Sequence, residues 1–240
     1  MNTFESRVPP PVFNDLIGRG HTVQYEPGDC LMSAGAVGDC VMVLRHGHVK
    51  ILSGDAAGRE RLLAVRGRGE LLGEMALFST GTRTASVVAH DAVTVVKIAE
   101  VRFRGFLDKY PSIQGDILRL VIAKLRALEG KRVENGPGTA VPRLLRALVE
   151  AAEACGDLLK DGAVLVPFTQ NELGQMAEMS VLSAHRAVKV LRERKLLGSW
   201  PERGKVLVPC LGCLRAAALS PQMYGQDISG CGGVRSCPRR

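Results

Sequence analysis

The chain has 240 residues, of which 46% are hydrophobic and 23% are charged. This balance is enough to build a hydrophobic core, and it excludes wholesale disorder and collagen-like architectures. No apolar run reaches the roughly 18 residues of a membrane span, and residues 1–11 lack the apolar segment of a signal peptide. We therefore expect a cytoplasmic protein that makes no membrane contact.

The positive charge of the chain is unevenly distributed. There are 32 Lys and Arg residues against 24 Asp and Glu residues, a formal net charge of +8. Residues 183–205 carry seven Lys or Arg side chains and only two acidic ones, whereas residues 136–182 are acidic. A compact basic block in a balanced chain is a candidate nucleic-acid surface, and the alternative is a solvated helix face.

The first half of the chain predicts an antiparallel β-domain. From residue 23 to about residue 98, short apolar runs alternate with glycine-containing turns. The runs cover residues 40–44, 49–52, 61–65 and 92–98. Many short, evenly spaced strands are typical of a sandwich or jelly-roll barrel, which we predict over residues 1–108.

A helical period follows, with a short helix over residues 101–107 and a long one from Pro111 to about Val133. One apolar stripe on the long helix has the 3-4-3 spacing of a coiled-coil seam, and a second stripe can pack on the β-domain. The first stripe consists of Leu118, Val121, Leu125 and Leu128, and the second of Ile113, Ile117 and Leu120. We therefore predict a dimerisation helix over residues 109–135, the alternative being a helix buried in a single core. A hinge at residues 136–138 ends it.

The second half predicts a winged helix-turn-helix over residues 136–214. A helix over residues 141–154 and a β-like pair turning at residues 160–162 come first. Thr169 and Glu172 have the spacing of a capping box, and Ser180 is a good cap for a second, basic helix. Two capped helices joined by a short turn are typical of DNA-binding domains. A hairpin around residues 201–204 predicts the wing, and residues 215–240 predict a flexible tail.

Residues 72–87, with the sequence LGEMALFSTGTRTASV, resemble the phosphate-binding cassette of cyclic-nucleotide-binding domains. Glu74 opens a short helix, where its carboxylate can accept a hydrogen bond from a ribose hydroxyl. Arg83 offers a charge-assisted fork for a phosphate. The order of domains resembles that of the cyclic AMP receptor protein/FNR family of transcription regulators. The resemblance covers about residues 20–210.

This resemblance implies an α+β fold. It consists of an N-terminal antiparallel β-roll or jelly-roll sensor domain, a long dimerisation helix and a C-terminal winged helix-turn-helix domain. The implied protein is a homodimeric DNA-binding transcription regulator, not an enzyme, with cyclic AMP or cyclic GMP as effector and no catalytic cofactor. Its implied partners are double-stranded DNA with a roughly palindromic site and a second copy of the chain, with RNA polymerase a further candidate. The ligand would act by shifting the population of two arrangements of the long helix.

The resemblance also assigns site residues. The ligand-binding set is Gly73, Glu74, Met75, Ala76, Arg83 and Thr84. The DNA-binding set is Thr169, Gln170, Ser180, Ser183, His185, Arg186, Lys189, Arg203 and Lys205. Arg186 matches the second reading arginine of the family and is the candidate for a bidentate guanine contact.

The chain departs from the family pattern at three places. Val181 and Leu182 stand where the cyclic AMP receptor protein has an arginine and an acidic residue. Leu128 and Glu129 replace the hydroxyl pair that contacts adenine, so the sequence does not choose between the two cyclic nucleotides. Glu178 replaces the glycine that is usual in the turn.

Three alternatives stay open. Cys210, Cys213, Cys231 and Cys237 could supply soft ligands to zinc or an iron–sulfur cluster, which would make the same fold a redox or metal sensor. The cassette could be vestigial in a ligand-independent DNA-binding protein, with Glu74 and Arg83 paired only to each other. The β-domain could also be an enzyme-associated module that does not bind DNA. We expect Cys30, Cys40 and Cys155 to be small buried hydrophobes.

Overall fold

The computed structural model describes residues 3–54, 60–79, 81–133, 140–198 and 204–219, and gives only the backbone for residues 126–133. The chain divides into two compact units, Met1–Glu129 and Gly130–Arg240. Within the described ranges, no helix combines the length and the apolar character that a membrane crossing requires.

The first unit contains two four-stranded antiparallel sheets. Their orders are β1-β8-β3-β6 and β2-β7-β4-β5. The strands are β1 (His21–Tyr25), β2 (Cys30–Met32), β3 (Cys40–His46), β4 (Val49–Gly54), β5 (Glu60–Arg66), β6 (Leu71–Leu72), β7 (Ser86–Ala89) and β8 (Val93–Ala99). The predicted antiparallel β-domain is therefore confirmed; three of the four apolar runs lie within strands, and the fourth, residues 92–98, lies in β8 except for its first residue.

Strand β3 shows how this unit builds two cores from one sheet. Successive side chains of a strand point to opposite faces. Met42 and Leu44 lie in an apolar cluster shared with strands of the second sheet, such as Val49 in β4. Val41 and Val43 lie in a second cluster, formed with helices. The sheet that carries β3 is consequently buried on both faces.

The helices of the first unit are α1 (Phe4–Arg7), α2 (Pro10–Gly18), α3 (Glu74–Leu77), α4 (Glu100–Lys109) and α5 (Ser112–Val133). Helices α4 and α5 confirm the predicted pair. Helices α1 and α2 were not predicted, because each is too short to show a helical period. They are stabilised by tertiary packing, since Phe4 and Phe13 are buried in the same cluster as Phe103 and Ile117.

The two apolar stripes of α5 have different outcomes. The stripe predicted to pack on the β-domain is confirmed, because Ile113, Ile117 and Leu120 are buried against the first unit. The predicted seam is partly wrong, because Val121 packs against that core and Ile122 replaces it on the exposed face. The exposed stripe is Leu118, Ile122 and Leu125, which follows the 3.6-residue period of a straight helix. The side chain of Leu128 lies outside the described residues.

The described residues of the second unit form four helices and a three-stranded antiparallel sheet of order β11-β10-β9. Its elements are α6 (Ala140–Cys155), β9 (Asp157–Leu158), β10 (Val164–Val166), α7 (Gln170–Met176), α8 (Val181–Glu193), β11 (Val206–Val208) and α9 (Leu211–Leu219). Both predicted caps are present. Thr169 and Glu172 form a complete capping box on α7, and the Ser180 side chain accepts a hydrogen bond from the backbone of Ser183 in α8.

The predicted wing is only partly visible. Strand β11 pairs with β10, and the Gly198 amide donates to the Leu207 carbonyl at 2.9 Å. These contacts bring the two ends of the hairpin together. Its tip, residues 199–203 with Arg203, lies outside the described residues, as does the predicted hinge at residues 136–138.

Two sequence expectations are corrected. The flexible tail does not begin at residue 215, because α9 continues to Leu219, with Leu214 and Ala217 buried. The Arg215 guanidinium also lies 2.7 Å from a carboxylate oxygen of Glu153 in α6. Cys30, the first residue of strand β2, is exposed rather than buried, whereas Cys40 and Cys155 are buried as expected.

Candidate functional site

The cassette turns at a glycine that lies against an arginine. Strand β6 ends at Leu72, and Gly73 then takes a left-handed conformation with φ +82° before α3 begins. A Cβ atom at Gly73 would lie 2.3 Å from Nη1 of Arg83 and 2.9 Å from Cε of Met32. Glycine is therefore required here both for the backbone angle and for the close approach of the guanidinium.

Arg83 is buried, with 6% of the residue exposed, and its guanidinium is held by backbone carbonyls. Nη1 donates to the Gly73 carbonyl at 2.9 Å, and Nη2 donates to the Cys40 carbonyl at 2.8 Å and to its Sγ at 3.3 Å. A guanidinium has five N–H donors, so it can hold these acceptors and still address an anion. These acceptors therefore fix the position of the guanidinium.

A carboxyl and a thiol flank this guanidinium. Oδ1 of Asp39 lies 3.6 Å from Nη2 of Arg83. A hydrogen bond with the Cys40 side chain lowers the pKa of the Asp39 carboxyl, against the opposing effect of partial burial. Burial raises the pKa of the Cys40 thiol, and the neighbouring Asp39 charge adds to that increase. At neutral pH the surroundings of Arg83 thus contain one carboxylate and one neutral thiol.

Glu74, the candidate ribose ligand, is already paired. It is buried, with 3% of the residue exposed, and its Oε1 lies 2.7 Å from Nζ of Lys124 in helix α5. The same ammonium donates to the Leu71 carbonyl at 3.2 Å. Among the described residues no ion pair joins Glu74 to Arg83, so the sequence alternative in which these two pair with each other is wrong.

Sequence reasoning missed Lys124, although a signal for it exists. Lys124 follows Leu120 by four residues and Ile117 by seven, which places it on the buried stripe of α5. A lysine that continues a buried stripe needs an anionic partner, and Glu74 was the acidic side chain already singled out. The position of Lys124 on this stripe does not by itself predict that α5 passes over the cassette.

The other predicted ligand residues lie around this pair. A Cβ atom at Gly38 would lie 2.5 Å from Cβ of Ala76 and 3.6 Å from Cζ of Arg83, so these side chains share one close-packed corner. Met75 is half-buried and Thr84 is exposed. The structure therefore brings Gly73, Glu74, Ala76 and Arg83 together and leaves Met75 and Thr84 at the rim.

Helix α8 presents one face to its own unit and the other to solvent. The buried positions are Ala184, Ala187, Val188 and Leu191, and the exposed ones include Val181, Leu182, His185, Arg186 and Lys189. Ser180 and Ser183 are engaged at the cap, where Oγ of Ser180 donates to Oγ of Ser183 at 3.0 Å. The open face of α8 is therefore apolar at its N-terminal end and carries the basic side chains of Arg186 and Lys189 beyond it.

The remaining DNA-binding candidates differ in their exposure to solvent. Thr169 is exposed, but its Oγ1 donates to Glu172 at 2.9 Å within the capping box. Gln170 and Lys205 are half-buried. Arg203 lies outside the described residues.

Comparison with known proteins gives a consistent result. Residues 22–110 match the cyclic nucleotide-binding domain family. The chain is 26% identical to the CRP-like cAMP-activated global transcriptional regulator of Mycobacterium tuberculosis over 183 residues, which are 75% of this chain and 81% of that protein. It is 25% identical to the cAMP-activated global transcriptional regulator CRP of Escherichia coli over 202 residues, 82% of this chain and 93% of that protein.

The chain contains a cyclic nucleotide-binding domain and is homologous to CRP-like transcription regulators. Its relatives are transcription regulators rather than enzymes. This confirms the expectation that the protein is not an enzyme. The fold agrees with that of a solved family structure, the c-di-GMP responsive global regulator CLP of Xanthomonas campestris. That structure has a TM-score of 0.69 at 19% identity, covering 83% of this chain and 99% of that one.

The turn between α7 and α8 is made without glycine. Glu178 adopts the left-handed region, with φ +52°. The Arg143 guanidinium, from helix α6, donates to the Ala177 carbonyl at 2.8 Å through Nε and also donates to the Glu178 carbonyl. Bonds from α6 therefore hold the turn in a conformation that a residue with a side chain rarely adopts.

Only two of the four C-terminal cysteines lie within the described residues. Cys210 and Cys213 lie at the N-terminal end of α9, where the Cys213 amide donates to Sγ of Cys210 at 3.3 Å. Cys231 and Cys237 lie outside the described residues. Within the described part of the chain, no group of three or more His, Cys, Asp or Glu side chains could hold a metal ion.

Proposed function

We propose that the protein is a homodimeric, sequence-specific DNA-binding transcription regulator whose DNA affinity is controlled by a cyclic nucleotide in the cassette. The observation that carries this proposal is the buried Arg83 guanidinium, fixed by the carbonyls of Gly73 and Cys40 beside the buried Glu74. A cation and a carboxylate in adjacent buried positions match the phosphate and the ribose hydroxyl of one small ligand.

Lys124 supports a route from the ligand to the long helix. The Glu74 oxygen that would accept a ribose hydroxyl already accepts from Lys124 of α5. A ligand hydroxyl at Glu74 therefore either competes with the Lys124 ammonium for Oε1 or binds the other oxygen of the same carboxylate. Because the ligand changes the contact between Glu74 and Lys124, it can favour one arrangement of α5. The size of this effect depends on how much the affinity for the ligand differs between the two arrangements.

The exposed stripe of α5 supports the homodimer. Leu118, Ile122 and Leu125 lie on one face at the spacing by which helices pair. Two α5 helices packed along this stripe would bury it, and the resulting two-fold symmetry would favour a roughly palindromic operator. RNA polymerase stays a candidate partner that follows from the proposed role in transcription.

The open face of α8 supports DNA reading. Arg186, exposed and centrally placed, is the residue that we propose contacts a guanine edge, with His185 and Lys189 beside it. Arg192, Arg194 and Lys195 continue the basic surface, and we assign them to phosphates together with the wing residues Arg203 and Lys205.

The first experiment is calorimetric titration of the purified full-length protein with cyclic AMP, cyclic GMP and cyclic di-GMP. These probes cover the two expected effectors and the one that the Xanthomonas structure names. We expect saturable binding of at least one of them, weakened at least about 30-fold by Arg83→Ala because the phosphate loses a buried charged partner. The matched control is Arg104→Ala, since Arg104 is exposed, pairs with Glu100 of its own helix, and reaches only the far end of α3, at the Leu77 carbonyl.

Two outcomes contradict the cassette assignment. One is unchanged affinity in Arg83→Ala, and the other is no heat with any of the three nucleotides in protein shown to be folded and nucleotide-free. The second outcome would favour the vestigial cassette. Arg83→Lys serves as a second variant, because it keeps the charge and loses only the fork, and circular dichroism of each variant verifies folding.

A further inference from the structure

The first turn of α8 carries two exposed aliphatic side chains. Val181 is 57% exposed and Leu182 is 61% exposed. They are the first two residues of the helix, on the side away from the buried positions that pack within the second unit. Single apolar residues on a surface are common, so exposure alone says little. The surroundings of this pair are more informative.

The polar side chains next to the pair are committed to the helix cap. Oγ of Ser180 accepts from the Ser183 amide at 3.2 Å and donates to Oγ of Ser183 at 3.0 Å. What this end of the helix offers to a partner is therefore mainly the methyl groups of Val181 and Leu182. A partner seated here must present a small apolar group.

The same partner must also accommodate positive charge. Arg186 and Lys189 follow Leu182 by four and seven residues, so the three side chains form one stripe along the exposed face of α8. An apolar end continuous with a cationic stripe fits an anionic partner that carries methyl groups a few ångströms from its charges. The major groove of DNA has this chemistry, because it admits a helix and displays the thymine 5-methyl group between phosphate backbones.

We propose that Val181 and Leu182 read thymine 5-methyl groups in each half-site, an inference that rests on the proposed DNA-binding function. At the base pairs facing this turn, T·A or A·T is preferred over G·C. The preference comes from burial of the methyl group, worth about a fourfold change in affinity for each methyl. Cytosine is disfavoured further, because its amino group would lose water without gaining an acceptor. At this end of α8, specificity therefore arises from shape and apolar contact. Arg186 supplies a hydrogen-bonding contact to a neighbouring base.

The test separates the methyl group from the rest of the base. Full-length protein is used to select sites from a random duplex library, without nucleotide and with saturating cyclic AMP or cyclic GMP. Each thymine of the best site is then replaced singly by deoxyuridine, which lacks only the 5-methyl group, and the Kd is measured by fluorescence anisotropy. We expect the Kd to rise about fourfold when uracil replaces thymine at one or two positions in each half-site. The sensitive positions should be related by the two-fold symmetry of the site. Cytosine at such a position should bind more weakly than uracil, and 5-methylcytosine should recover part of that loss.

Variants connect the effect to the two side chains. Val181→Ser with Leu182→Ser should bind the thymine and uracil sites equally. Leu158→Ser is the matched control, because Leu158 is an aliphatic residue of the same unit, 75% exposed on strand β9, and should keep the preference for thymine. Val181→Asn with Leu182→Gln is a second pair that removes the methyl groups at nearly the same side-chain size, and it should likewise bind the thymine and uracil sites equally; it is used if the serine pair lowers the helix content.

The outcomes distinguish this inference from the function on which it rests. A wild-type protein that binds its selected site but is indifferent to every uracil replacement overturns the methyl contact and leaves DNA binding intact. Equal uracil sensitivity in the wild type and in the Val181/Leu182 variants also overturns it, as expected if the pair contacts another protein. If no sequence is enriched under any of the three conditions, both proposals fail.

Discussion

Lys124 Nζ lies 2.7 Å from Glu74 Oε1, and this ion pair joins the long helix α5 to the short helix of the cassette. Both side chains are largely enclosed, and the pair is the direct polar link between the candidate ligand site and the helix proposed to carry its signal. Its removal should therefore affect both stability and ligand response.

We expect Lys124→Met to lower the free energy of unfolding by about 2–3 kcal/mol, because it leaves the buried Glu74 carboxylate without its partner. Adding Glu74→Gln should recover part of this loss, so the two substitutions should be non-additive by at least about 1 kcal/mol. Urea unfolding of the single and double variants measures the coupling. Arg119→Met is the control, because Arg119 forms an exposed pair with Asp116 and should change stability by less than about 0.5 kcal/mol. Additive effects at Lys124 and Glu74 would contradict the pairing.

Gly73 and Gly81 offer a matched pair of glycines, since both have φ +82°. A Cβ atom at Gly81 would meet no described atom within 4 Å, whereas one at Gly73 would collide with Arg83 and Met32. Gly81→Ala should cost about 1 kcal/mol from the backbone angle alone. Gly73→Ala should cost about 1–3 kcal/mol more from overpacking, and it should weaken nucleotide binding by displacing Arg83. Thermal unfolding and calorimetry measure the two effects. Equal behaviour of the two variants would show that the Gly73 contact is unimportant.

The exposed stripe of α5 predicts how the dimer is held. Leu118→Glu with Leu125→Glu should raise the dimer dissociation constant at least about tenfold, because each charge must be desolvated in the interface and the burial of two leucines is lost. Sedimentation velocity across a micromolar concentration series measures this change. Val101→Glu, an exposed valine on α4, is the control and should leave assembly unchanged. An intact dimer in the α5 variant, or a monomeric wild type, would contradict the prediction.

The turn of the helix-turn-helix predicts a stabilising substitution. Because Glu178 lies in the left-handed region, Glu178→Gly should raise the free energy of unfolding by about 1 kcal/mol. Lys195 follows α8 with φ +55°, so Lys195→Gly should also raise the free energy of unfolding. The same change at a right-handed position, Glu193→Gly at the end of α8, should lower stability instead. Chemical denaturation measures all three variants, and a loss of stability in Glu178→Gly would contradict the proposed backbone strain.

Much of this architecture could be predicted from the amino-acid sequence, because it depends on local signals. The continuous apolar run of β3 and the glycine turns on either side of it predict a strand from the local sequence alone. The capping box at Thr169 and the cap at Ser180 specify where α7 and α8 begin through hydrogen bonds that span only three residues. The cassette was found for the same reason, since Glu74 and Arg83 lie nine residues apart in one contiguous segment.

Other features depend on contacts between distant segments, and only the tertiary structure decided them. Lys124 reaches Glu74 across 50 positions and Arg83 reaches Cys40 across 43, distances over which local pattern carries no information about pairing. The exposed stripe of α5 depends on which face the β-domain covers, and that coverage buries Val121 and exposes Ile122. Helices α1 and α2 are stable only because Phe4 and Phe13 enter a core built from later residues. Sequence by itself therefore determined most of the elements and their order, through short-range hydrogen bonds and periodicity. Packing decided which charges meet and which apolar face stays open, because both depend on the burial of surfaces that come together only in the folded chain.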